Sequence, residues 1–159
     1  MTRRRFSLIA VLLLMGTMFF AAPAQALILQ AEDELFFDEY VTEDVYLAGG
    51  VVTIQQDIDG DVFVAGGDVT INGVVGGDLF VAGGNVLVNE LVRDDVRMIG
   101  GSLTLNNEVG GDLIVIGGSA DINPESIIQG DVVSISGKTN LYGTVNKSVR
   151  GILGRLMLG

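Results

Sequence analysis

Residues Asp61–Gly77 read DVFVAGGDVTINGVVGG, and Asp78–Gly84 begin the same phrase again as DLFVAGG. With the leading Asp as a marker, units start at Asp44, Asp61, Asp78, Asp95, Asp112 and Asp131, spaced by 17, 17, 17, 17 and 19 residues. A fixed period of this size marks a chain built from stacked repeats.

Apolar residues keep fixed places behind the marker, which we number as position 0. Position 1 holds Val45, Val62, Leu79, Val96, Leu113 and Val132, and position 3 holds Leu47, Val64, Val81, Met98, Val115 and then Ser134. Positions 8 and 10 carry pairs such as Val52 with Ile54, Val69 with Ile71 and Val86 with Val88. Position 14 carries Ile58, Val75, Val92 and Val109, then Ile128 and Val145. Spacings of two send alternate side chains to one face of a strand. A helix would need spacings of three and four, and the Gly pairs would weaken it by about 1 kcal/mol per glycine.

Each unit is therefore predicted to be one coil of three short strands. Its corners fall at pairs such as Gly66-Gly67 and Gly83-Gly84, where positive φ or a missing Cβ suits a tight bend. The fold class is all-β, a single-stranded β-helix (β-solenoid) of triangular section. Extended backwards, the period places Leu35, Phe37 and Val41 at positions 8, 10 and 14 of an earlier coil. The count is about seven coils of 17 residues between residues 27 and 147. The two extra residues of the fifth unit fall around Asn123–Ser126, where proline fits a bulged corner and not a central strand.

The 159-residue chain has no Cys, His or Trp, which removes disulfides, thiolate sites, histidine bases and histidine metal ligands. The Asp column invites a calcium reading, but the calcium-binding G-G-x-G-x-D pattern is missing and Asp after Gly is ordinary turn chemistry. No two carboxylates stand out as an acid/base pair, and no Gly pair precedes a helix with Lys-Ser or Lys-Thr. No enzymatic activity, cofactor or metal is expected.

Residues 1–26 read as a secretory signal peptide: Arg3–Arg5 as the positive region, Phe6–Phe20 as the apolar region, and Ala24-Gln25-Ala26 as the cleavage site. The expected location is outside the cytoplasm: periplasmic, envelope-associated or extracellular. The formal charge is −11, and without Arg3, Arg4 and Arg5 the remaining 6 basic and 20 acidic residues leave −14. So acidic a chain should repel nucleic acid, which is not an expected partner.

The stretch DVFVAGGDVTINGVVGGDLFVAGGNVLVN resembles the bactofilins, bacterial polymer-forming proteins with a β-helical core. The resemblance covers Asp44–Val145 most clearly. It implies a right-handed coil and nucleotide-free self-assembly, end to end, into scaffolding filaments. The leader departs from typical bactofilins, which are cytosolic, and points to an exported, bactofilin-like variant.

Three surface features are candidates for function. Position 2, which should face outward, holds Tyr46, Phe63 and Phe80, either a ladder that stiffens the sheet or a platform for sugar or lateral contact. In residues 148–159, Val149, Ile152, Leu153 and Leu156 fall at i, i+3, i+4 and i+7, a helical stripe readable as a tail, a cap or a membrane-contacting segment. Finally, residues 27–61 hold ten acidic residues and no basic one, whereas Lys138–Arg155 hold four basic residues and no acidic one. That asymmetry is either surface solvation or a means of steering copies head to tail.

The expected function is a non-enzymatic structural element of the cell envelope that self-assembles through its solenoid ends. Its first partner is itself, with cell wall or membrane surface as further contacts. The alternative is a glycan- or cell-wall-binding module that uses an exposed face.

Overall fold

A computed structural model of the chain describes residues 28–159. The leader expected at residues 1–26, with Ala24 and Ala26, lies outside the described residues. All regular structure among them is β, with no helix.

The main sheet has eight parallel strands: β1 (Ile28–Phe37), β2 (Val45–Ile54), β3 (Val62–Ile71), β4 (Leu79–Val88), β5 (Val96–Leu105), β6 (Leu113–Ile122), β8 (Val132–Leu141) and β10 (Val149–Leu158). A smaller sheet pairs β7 (Ile127–Ile128) with β9 (Thr144–Val145). Each strand pairs with the next at equal repeat positions, Val45 with Val62 and Val62 with Leu79, so the chain is a β-solenoid. Eight rungs at about 4.8 Å give a rod roughly 34 Å long.

Three findings refine the sequence reading. First, two of the three expected strands are one: each main strand runs ten residues through its Gly pair. Side chains at positions 1 and 3 point inward, and so do those at 8 and 10, as in Val62, Val64, Val69 and Ile71. Strict alternation cannot join those sets, so the pleat changes phase at the glycines, and the strand bends there without leaving the ladder. The third side is narrow, a single bridge per coil such as Ile58 to Val75 and Val75 to Val92, widening to two pairs between β7 and β9.

Second, no glycine among the described residues has positive φ. The corners need room. A Cβ on Gly67 would lie 2.8 Å from the carbonyl oxygen of Gly50 in the preceding rung.

Third, residues 148–159 are neither helix nor free tail. They form an eighth rung, with Val149 opposite Val132 and Leu158 opposite Leu141. The period of 17 continues through Ser148, which takes the place of the marker Asp. A helix would satisfy its own backbone, but β8 offers a complete ladder edge in the right register, and Gly151 and Gly154 weaken the helical competitor.

The core is a continuous stack of aliphatic side chains, with Val45, Val62, Leu79, Val96, Leu113 and Val132 fully buried in one column. Burying such a side chain stabilises by about 1.5–3 kcal/mol. The seventh rung breaks the pattern. Ser134, Ser136 and Thr139 are buried there and bond one another, Ser134 to Thr139 at 2.8 Å and Ser136 to Thr139 at 2.6 Å. The two-residue insertion becomes a turn at Asn123–Ser126, fastened by Ser126 Oγ donating to the Leu105 carbonyl at 2.9 Å.

Candidate functional site

The marker Asp column explains how successive coils are tied together at a corner. The backbone N–H of Asp61 donates to Asp44 Oδ1 at 3.0 Å, that of Asp78 to Asp61 at 2.8 Å, and that of Asp95 to Asp78 at 3.0 Å. Asp112 and Asp131 continue the series, and Ser148 ends it with its N–H on Asp131 Oδ1 at 2.9 Å. That bond holds the Asp131 carboxyl below the usual carboxylate range, helped by the positive charges of Arg150 and Lys147. Each carboxylate thus supplies the acceptor that its neighbour's backbone lacks at the corner. Among the described residues no group of three or more acidic side chains is arranged to hold a metal ion.

A second ladder escaped the sequence reading. At position 11, Asn89 Nδ2 donates to Asn72 Oδ1 at 2.7 Å, Asn106 to Asn89 at 2.6 Å, and Asn123 to Asn106. The recurring Asn at 17-residue spacing was its available signal. On the third side, Tyr40 donates its hydroxyl to Asp59 at 2.7 Å, and that bond raises the phenol above its ordinary range.

The outward aromatics come together as expected. Tyr46 and Phe63 stack with centroids 4.5 Å apart, Phe63 and Phe80 at 4.7 Å, both pairs within 6° of parallel. Arg97 occupies the next place in the column and lies over the Phe80 ring at 4.8 Å. Its guanidinium donates to Asp95 at 3.0 Å and to Asp78 at 3.3 Å. Both faces of Phe63 and Phe80, and one face of Tyr46, are therefore covered by one another and by Arg97. A pyranose binds aromatics through an open face, and at Phe63 and Phe80 it would meet ring edges.

Beside the ladder runs an open apolar groove of about 430 Å³. Its floor is the exposed Ala48, Ala65 and Ala82 at position 4, and the larger Ile99 closes it where the column changes size. The contrast of tall position 2 and short position 4 makes the groove.

The C-terminal candidates do not form one face. Val149 and Leu156 lie on the core columns of β10, while Ile152 points outward and is 76% exposed. The side chain of Leu153 lies outside what the structure describes. Val149 and Leu156 are each 41% exposed and Leu158 69%, although the equivalent Val132, Thr139 and Leu141 of β8 are buried. β10, the end rung among the described residues, thus presents core side chains along the rod axis, with Arg150 and Arg155 on the same strand.

No protein-family model matches the chain, and no curated protein or solved structure matches it either.

Proposed function

We propose that the protein is a non-enzymatic structural element of the cell envelope, an exported, bactofilin-like rod that self-assembles through its ends. The observation that carries this reading is the β10 rung. Its ladder edge faces away from β8, and its core positions Val149, Leu156 and Leu158 are exposed. Unpaired strand edges with apolar side chains recruit further strands.

A second copy of β10 is a fitting partner. The inward positions are symmetric about the corner, so an antiparallel pair of β10 strands keeps every inward side chain inward. That pairing sets Gly151 opposite Leu156, Val149 opposite Leu158 and each arginine opposite an apolar residue. The test is sedimentation of the purified chain over a wide range of concentration and salt, with concentration-dependent association as the expected result.

The second reading, a glycan-binding face, has the groove beside Tyr46, Phe63 and Phe80 in its favour and the covered faces of Phe63 and Phe80 against it. A pull-down on insoluble cell-wall glycan separates it from the first reading.

A further inference from the structure

Every rung that rests on a preceding one carries glycine at position 6: Gly50, Gly67, Gly84, Gly101, Gly118, Gly137 and Gly154. A Cβ at this position would strike the carbonyl oxygen of the rung before it. The separation would be 2.7 Å for Gly50 on Asp33, 2.8 Å for Gly84 on Gly67 and for Gly101 on Gly84, and 3.0 Å for Gly137 on Gly118. The obstacle is backbone held between ladder pairs at positions 5 and 7, so it cannot swing aside as a flexible side chain would. A Cβ at position 5 would come as close, 2.6 Å for Gly49 on Glu32 and 3.2 Å for Gly83 on Gly66. Yet Ser136 and Leu153 stand there in stacked rungs, so position 6 is the one that stays glycine throughout the stacked rungs.

Among the described rungs, β1 alone has no glycine at this position. Position 6 of β1 is Asp33. Head-to-tail joining of two copies would set β10 of one against β1 of the other in the register shared by all other rungs. The Gly154 carbonyl would then meet the Cβ of Asp33, with a carboxylate beside it.

We propose that Asp33 makes the two ends of the rod unequal as docking surfaces for a second copy, closing β1 to in-register stacking on β10. The acidic residues near β1 and the basic residues near β10 attract copies at a distance, but Asp33 stops those two rungs from joining. This rests on the reading of the protein as a self-assembling rod, and it limits how that assembly proceeds. Asp33 is exposed, and glycine is the residue that the other rungs place there, so Asp33→Gly leaves the fold intact.

The chain has no cysteine, which permits a direct test in the full chain exported with its own leader. Glu34 and Arg155 both occupy position 7, where register partners such as Val51 and Asp68 lie side by side. Chains carrying Glu34→Cys alone, with Asp33 retained or replaced by Gly, are mixed with chains carrying Arg155→Cys alone and treated with a short bismaleimide. Only the link between residues 34 and 155 is counted, by peptide mapping. These two sites lie on the first and last rungs, so a short link between them must join two molecules. The expected result is a yield of the linked dimer roughly tenfold or more higher with Asp33→Gly, the factor that 1.4 kcal/mol represents. Equal yields in the two backgrounds, or no link in the Asp33→Gly chain, would overturn the proposal. Sedimentation of the unsubstituted chain as a monomer at every concentration would instead count against the assembly reading, and the comparison of yields would still decide the role of Asp33.

Discussion

Asp61 Oδ1 accepts the backbone N–H of Asp78 at 2.8 Å, and the same bond recurs from Asp44 up to Ser148. It joins neighbouring coils at a corner where strand pairing supplies no acceptor for that N–H. Asp61→Ala should therefore destabilise by about 1–3 kcal/mol, the cost of leaving a donor without its partner. Asp61→Asn, whose amide oxygen can still accept, should cost much less. Urea unfolding of the two variants checks this, and equal losses would show that charge, not the acceptor, is what matters.

Gly67 illustrates the limit that the corner sets on size. A Cβ at Gly67 would sit 2.8 Å from the Gly50 carbonyl oxygen, so Gly67→Ala should cost about 1–3 kcal/mol by overpacking. Val51→Ala, at an exposed neighbouring site, should stay within about 0.5 kcal/mol. A tolerated Gly67→Ala, judged by thermal melting, would mean that the rungs can separate locally.

Phe63 is the middle ring of its stack. Phe63→Ala removes both ring contacts and should lower stability by about 1–3 kcal/mol, given 0.5–1.5 kcal/mol per aromatic pair. Phe63→Tyr should preserve the stack and most of the stability. If Phe63→Ala left stability unchanged in denaturant, the ladder would have no structural role, and a binding role for the column would gain weight.

The hydroxyl cluster of the seventh rung replaces residues that other rungs make apolar. Restoring the repeat with Ser134→Val, Ser136→Gly and Thr139→Val together removes every partner at once, leaving no stranded group. Added apolar burial should raise stability by about 1–2 kcal/mol. Calorimetry showing an equal or lower melting temperature would mean that the cluster fits this rung better than the repeat's own residues.

Asp131 is the titrating link that fastens the eighth rung. Its carboxyl is depressed by the Ser148 N–H, so it binds its proton less readily folded than unfolded. Its contribution is present above the unfolded carboxylate value near 3.9 and is lost as pH falls through the lower folded value. The protection of β10 amides against hydrogen exchange, taken relative to the intrinsic rate at each pH, should therefore fall at acid pH, and this acid sensitivity should shrink in Asp131→Asn. Unchanged acid sensitivity in Asp131→Asn would move the cause to another group.

The solenoid was legible because inward positions repeat as a spacing of two within a period of 17. Valine and leucine at positions 1, 3, 8 and 10 carry nearly all of that signal. The eighth rung was hidden because Ser148 stands where the marker Asp belongs, and because Val149, Ile152, Leu153 and Leu156 also satisfy helical spacing. Composition alone does not separate those readings, whereas the vacant edge of β8 does. The continuous ten-residue strand was hidden because paired glycines ordinarily end strands, and here they bend one. The aromatic column could be read from Tyr46, Phe63 and Phe80. Arg97 at its end could not, because its role depends on Asp78 and Asp95 meeting on one face.

The central claim is that copies of this rod associate through the β10 end. Sedimentation velocity of the purified chain beside an Ile152→Asp, Leu156→Asp and Leu158→Asp variant tests it most directly. The account predicts concentration-dependent association of the unsubstituted chain and a monomer for the variant with its β-sheet signal intact. An unsubstituted chain that stays monomeric across concentration and salt, or a variant that associates equally well, would contradict it.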